Sequence, residues 1–304
     1  MRLPFDVRDV VKSGSQINKL REEPVRLAVF VEADAPDSLV DVVQASFRPY
    51  TANARLQVEV TEPGVEFVVD SAVDAVVGVV GSGQMGLARQ LEDPRERAIP
   101  TAVIALGEES SPIAEMLRHP YRDTLAHADP TVLVEDELGE WLVERVPDKR
   151  LALAHNYAFM RRAVALEAVK NTAWQNGAIG VVAFVPGTDM PLMTANQIKM
   201  LFQIAAAYGE PLGMERMREL VAIVGGGFVF RTIARQTAAL IPGFGWAIKG
   251  GIGASGTLAV GYAAVKYFEG GADLGRLSEQ FDRIKHSLTE RFASDAEERA
   301  AGDD

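Results

Sequence analysis

Gly81-Ser82-Gly83-Gln84-Met85-Gly86 satisfies G-x-G-x-x-G, directly after an apolar run and before a helical pattern. Glycines at that spacing permit a tight turn and close backbone approach, and amides at a helix N-terminus can hold a pyrophosphate. Glu108 or Glu109, at the end of the next apolar run, would then be the ribose-binding acid. Gly81, Gly83 and Gly86 are therefore the candidate nucleotide contacts. Against this, three strand-like runs precede the motif's own strand, whereas a dinucleotide fold usually opens with it, and a glycine turn needs no ligand. Other chemistry is thinner. His119, His127, His155 and His286 lack metal-ligand spacing. Glu32, Asp34, Asp37, Asp41 and Glu59 could gather at the carboxyl edge of a sheet and suit a divalent cation, although acidic loops are ordinarily just solvated. Ser82 lacks the spacing of a nucleophile elbow, and Asp189 and Thr194 read as turn and cap residues. With no intact catalytic motif, the chain reads as a non-enzyme without a cofactor or metal. A bound nucleotide is the alternative.

Composition narrows the classes. The 304 residues are 48% hydrophobic and 24% charged, enough to bury a core. A formal net charge of -11 argues against a nucleic-acid partner. The absence of cysteine excludes disulfides, thiolate metal sites and a thiol nucleophile. Asp6 in Met1-Arg2-Leu3-Pro4-Phe5-Asp6, where a signal peptide needs an apolar run, speaks against one. Residues 1–150 carry 16 Lys+Arg and 27 Asp+Glu (16 − 27 = −11), whereas residues 151–304 carry 15 of each. That asymmetry suggests two domains with different neighbours.

The first half alternates strand and helix patterns. A peripheral helix is expected over Pro4–Leu20 and a buried strand over Arg26–Val31. A helix over Asp37–Phe47 follows, then strands over Arg55–Val60, Glu66–Asp70 and Asp74–Val80. A helix after Gly83 should end near Pro94, with a strand over Ile99–Leu106, a helix over Pro112–Arg118 and a closing strand over Thr131–Val134. Continuous apolar strands separated by helices imply an α/β domain with a mostly parallel sheet.

From Pro147 the period becomes helical. One amphipathic helix is expected over Lys149–Asn171, followed by the uncharged run Asn171–Thr188 and a proline-glycine turn at Pro186–Pro191. Thr194 should cap a helix over Ala195–Tyr208, and Glu215–Val224 should be helical too. Gly250–Val265 has no charge, and Gly253, Thr257 and Gly261 form a small-residue stripe that lets helices approach closely, in a bundle or in a membrane. Neither apolar stretch meets the roughly 20-residue requirement for a span cleanly. A hairpin bent at Pro242-Gly243 could still enter one leaflet, with Arg231, Arg235 and Lys249 on anionic headgroups and Phe244 and Trp246 beside them. Leu274–Phe292 reads as an amphipathic helix that caps the bundle or pairs with a partner helix, and residues 293–304 as a disordered acidic tail.

Two resemblances bear on this. Leu27–Val31, a strand ending at Asp70, Ala75–Val80 and Ile99–Ile104 resemble the strand series of a small GTPase. Its phosphate loop is missing: Glu32-Ala33-Asp34-Ala35-Pro36-Asp37-Ser38 has neither glycine nor lysine, and Leu106-Gly107-Glu108-Glu109 replaces N-K-x-D. That resemblance implies lost nucleotide hydrolysis. The second covers about residues 150–270. Pro186–Gln197, Ala205–Gly209, Leu240–Gly245 and Gly261–Phe268 resemble the bacterial domain-of-unknown-function family 697, the helical part of YcjF-like membrane proteins and of tails on Era-like GTPases. It implies helical architecture and membrane or GTPase company, but no activity.

The expected division is an N-terminal helix (1–25), a GTPase-like α/β domain without a P-loop (26–146), a glycine-rich all-α domain (147–272), and an amphipathic helix with an acidic tail (273–304). Function is expected to be a non-catalytic scaffold on the cytoplasmic side of the inner membrane, docked on the membrane surface or on a membrane-bound GTPase, with a homo-oligomer possible. The alternatives are a nucleotide-binding protein and a soluble self-associating helical scaffold.

Overall fold

The computed structural model describes residues 7–107, 123–182, 189–210 and 245–270. Five strands form one sheet: β1 (Val25–Glu32), β2 (Ala54–Thr61), β3 (Ala75–Val79), β4 (Thr101–Leu106) and β5 (Thr124–His127). Their order is β2-β1-β3-β4-β5, and every pairing is parallel. The continuous apolar sequence of β1 and β3 matches their burial on both faces, as parallel sheets require. The α/β expectation holds. Strand order reverses between β1 and β3, so the crevice beyond their carboxyl ends is where such a sheet binds ligands.

Helices α1 (Val7–Arg21), α2 (Asp37–Ser46), α3 (Leu87–Gln90), α4 (Glu92–Glu96), α5 (Leu138–Arg145) and α6 (Arg150–Asn156) accompany the sheet. Three long ones, α7 (Met160–Val182), α8 (Asp189–Ala207) and α9 (Gly245–Glu269), pack together as a helical half. α1 rests on α6 and α8 rather than simply leading into the sheet.

Four expectations are corrected. Glu66–Asp70 is not a strand. Side chains answer its backbone instead: Gln90 accepts from Phe67 N at 3.0 Å and donates to Val65 O, Gln57 donates to Val68 O, and Arg97 donates to Val69 O and Asp70 O. Thr131–Val134 is not a strand either. Asp129 Oδ1 accepts from Thr131 N at 2.7 Å, capping a π-helical turn over Val132–Glu137 that runs into α5. The helix expected over Lys149–Asn171 is two. Asn156 bonds back to Ala152 O, and extended Tyr157 lays its ring on Phe47, 5.9 Å between centroids. Thr194 is no cap: α8 begins at Asp189, and Thr194 is buried within it. Beyond these, the expected helix at Pro112–Arg118, the turn at 183–188, the helix at Glu215–Val224 and everything after 270 lie outside the described residues.

The main apolar cluster runs from Ile17 through β1, α2, α5 and α6 to Phe268, and so joins sheet and bundle. Phe47 also meets Phe159 at 5.1 Å, Thr51 Oγ1 donates to Asn156 Oδ1 at 2.6 Å, and Lys149 pairs with Glu23 at 2.9 Å across the same seam.

Candidate functional site

β1 ends in an acid. Glu32 follows the apolar run Leu27–Val31 at the switch point, yet it is only 1% exposed. A buried carboxylate is tolerable only where donors surround it, and the turn after β3 supplies them. Glu32 Oε2 accepts from Gly81 N at 2.9 Å and Gly83 N at 2.8 Å, and Oε1 accepts from Met85 N at 3.0 Å. The turn can wrap this way because Gly83 and Gly86 take φ of 77° and 82°, which other residues rarely adopt. At Gly81 any Cβ would collide with Asp34, backbone included. Ser82 N in turn donates to Asp34 Oδ1 and Oδ2 at 3.3 Å each. The Ser82 side-chain bond, with its backbone amide, holds the exposed Asp34 carboxyl below the usual carboxylate range.

The glycine turn is thus an anion nest, and the anion in it is the protein's own. Gly81 and Gly83 meet Glu32, whereas Gly86 is the left-handed residue before α3. A pyrophosphate would have to displace Glu32 and sit beside Asp34. The turn also leads into α3, a helix of four residues, so little helix dipole backs it.

The other candidates do not converge. Asp37 is in the first turn of α2, Asp41 is exposed on it, and Glu59 accepts from Gln57. Among the described residues no group of His, Asp and Glu could hold a metal ion. His127 Nδ1 accepts from Asp129 N at 2.9 Å, a turn contact. His155, partly buried near Arg21, is held below its ordinary titration range by desolvation and then by that guanidinium. Glu108, Glu109, His119, His286, Arg231, Arg235 and Phe244 lie outside the described residues. The backbones of Trp246 and Lys249 belong to α9.

The small-residue stripe packs helix on helix. A Cβ on Gly261 would fall 2.5 Å from both Val169 methyls, so α9 and α7 touch there at backbone distance. Four residues earlier, buried Thr257 Oγ1 accepts from Asn176 Nδ2 at 2.9 Å and Gln197 Nε2 at 2.8 Å, tying α7, α8 and α9 at one point. Asn196 Nδ2 adds a bond to Asn176 Oδ1 at 3.0 Å. Sequence reasoning found Thr257 as a small residue but missed its partners, because asparagine and glutamine in an uncharged run look like surface. Among the described residues, no helix is long and apolar enough to cross a membrane. A cleft of about 270 Å³ opens beside the bundle, lined by Arg150, Asn171, Gln175, Asn196, Lys199 and Gln203 among others, far from the glycine turn in sequence.

Fold and edge define a parallel α/β protein, continuous with a helical bundle, whose glycine turn is bonded to its own Glu32 carboxylate. No protein-family model matches the chain, so the likeness of residues 150–270 to a helical family rests on the quoted motifs. Over 102 residues the chain is 30% identical to magnetosome membrane protein 22 of Magnetospirillum gryphiswaldense, covering 31% of this chain and 52% of that protein. The chain therefore spans about half the length of the curated relative it matches.

Proposed function

We propose that the chain is a non-catalytic, membrane-associated scaffold. Its α/β half is a GTPase-like domain without nucleotide chemistry, and its helical half attaches to the cytoplasmic face of the membrane or to a membrane-bound GTPase. The observation that carries the non-catalytic part is the Glu32 carboxylate, bonded to three amides at the one edge where this topology receives ligands. A similarly placed nucleotide would find its donors already engaged and two acids in the way. The membrane part is supported by the partial likeness to a magnetosome membrane protein. Its mechanism is positional: the acidic α/β surface is presented to a partner while the helical half holds the molecule in place.

Two measurements on the full chain test this. Native protein is fractionated with membranes, then washed with salt and with alkaline carbonate. Recovery in the membrane fraction before washing is expected, and complete solubility refutes membrane association. Salt release identifies electrostatic or protein-mediated attachment, and survival through carbonate identifies insertion. Titration with GTP and with NAD should give no saturable binding. Tight binding that disappears in Gly83→Asp would instead establish the glycine turn as a nucleotide site.

A further inference from the structure

β2 forms one margin of the sheet, and among the described residues no strand pairs with its outer side. It keeps register with β1 over eight residues, from Val25↔Ala54 to Glu32↔Thr61, with no bulge. Nor does it contain the proline or lysine that commonly blunts a free edge. Which groups the edge presents follows from its bonds to β1. Val25 N donates to Asn53 O at 3.0 Å, and Ala33 N to Thr61 O at 3.2 Å. Bonding residues alternate along a parallel pair, so the odd-numbered residues of β2 are spent on β1. Leu56, Val58 and Val60 therefore direct their N–H and C=O groups outward, as Ala54 does its C=O, while the Ala54 N–H turns back to Thr51 O at 3.4 Å. These are also the strand's apolar residues. Although aliphatic and extending the buried face of Leu27, Val29 and Val31, Val58 is 54% and Val60 53% exposed.

We propose that β2 pairs antiparallel with β2 of a second copy of this chain, about a twofold axis at Gln57, to make one continuous ten-stranded sheet. The sequence Ala54-Arg55-Leu56-Gln57-Val58-Glu59-Val60 is complementary to itself in that register. Arg55 stands opposite the partner's Glu59, Leu56 opposite the partner's Val58, and Ala54 opposite the partner's Val60. Gln57 meets its own copy. The register also brings the outward-facing residues together, so Leu56 and Val58 exchange backbone bonds and Arg55 and Glu59 fall in the closer, non-bonded pairs. A shift by one residue would set the free backbone groups against spent ones. An opposing force is long-range: residues 1–150 hold 27 Asp+Glu against 16 Lys+Arg. At about 0.15 M salt that repulsion is screened beyond roughly 8 Å, which leaves the short-range pairs to decide.

The test uses the full chain at that ionic strength. Since the protein has no cysteine, Gln57→Cys introduces a single thiol at the axis. There the two Cα atoms would lie about 4.5 Å apart, within disulfide reach. Arg55→Cys is its control, because thiols four residues out of register are separated by about 13 Å along the strand. Sedimentation velocity is expected to show a wild-type dimer, rapid oxidative cross-linking of Gln57→Cys but not of Arg55→Cys, and a monomeric Val58→Lys with unchanged circular dichroism. A wild-type monomer throughout the micromolar range overturns the proposal, as it would if the chain's own segments covered the edge. So does a dimer in which Gln57→Cys fails to cross-link, or one that survives Val58→Lys.

Discussion

Replacing Glu32 asks whether the glycine turn is held by its internal anion. In Glu32→Ala three amide donors, those of Gly81, Gly83 and Met85, lose their acceptor at once. A hydrogen bond to a charged group contributes about 1.5–3 kcal/mol, and a buried donor left unmade costs about 1–3 kcal/mol. The three amides are only partly buried, so water can reach some of them. The losses also share one carboxylate and do not simply add. Glu32→Ala should therefore destabilise by about 3 kcal/mol. Glu32→Gln keeps one acceptor oxygen but turns an NH2 towards an N–H, and should lose about 2 kcal/mol. Urea denaturation of both variants beside wild type measures this. The Ala variant also opens the nest, so its midpoint should rise when phosphate replaces chloride at equal ionic strength, while the wild-type midpoint should not. A loss below about 1 kcal/mol in Glu32→Ala, with no phosphate effect, would refute the view that this carboxylate organises the crevice.

Gly261→Ala should cost about 1–3 kcal/mol through overpacking, since the new methyl meets both Val169 methyls at 2.5 Å. Pairing it with Val169→Ala should recover much of that loss in a double-mutant cycle. His155 supplies a pH dependence. Its folded titration range lies below the ordinary 6.5, so the unfolded chain takes up the proton first. Its contribution is therefore complete above pH about 6.5, erodes as pH falls through that value, and levels off below the folded range. His155→Gln should remove that part of the slope of midpoint against pH, and an unchanged slope would refute the assignment.

Legibility followed how local the causes are. Arg26–Val31 was readable as a strand because the five consecutive residues Leu27–Val31 favour burial on both faces, and the structure extends it by one residue at each end. Glu66–Asp70 carries the same pattern but has no neighbouring strand to bond with. Gln90 and Arg97, more than 20 residues away, take over its backbone groups, and nothing within the segment announces them. Val132–Val134 is equally apolar, and there a local signal existed in Asp129, four residues ahead of the first buried one, Leu133. The helix break at Tyr157 is set by Phe47, over 100 residues away. At the crevice the glycine spacing was plain, but its occupant was not. An acid at a strand end ordinarily reads as solvated, and only the parallel β1–β3 pairing brings Glu32 to the turn. The clue was an acid closing an apolar strand, combined with a glycine turn after a neighbouring one.

The apolar cluster shared by sheet and bundle has a mechanical consequence. Val146 and Leu151, on either side of the boundary expected from the sequence, are both buried in it, and Asn156 and Glu23 fasten the seam from the two sides. In a chain built this way the apolar core is continuous across residue 147. Cutting there would strand half a core on each fragment, so neither piece is expected to be a faithful reagent for the whole. A load on the helices is expected to reach the sheet through that shared core, so that whatever the sheet carries would move with whatever the helices grip.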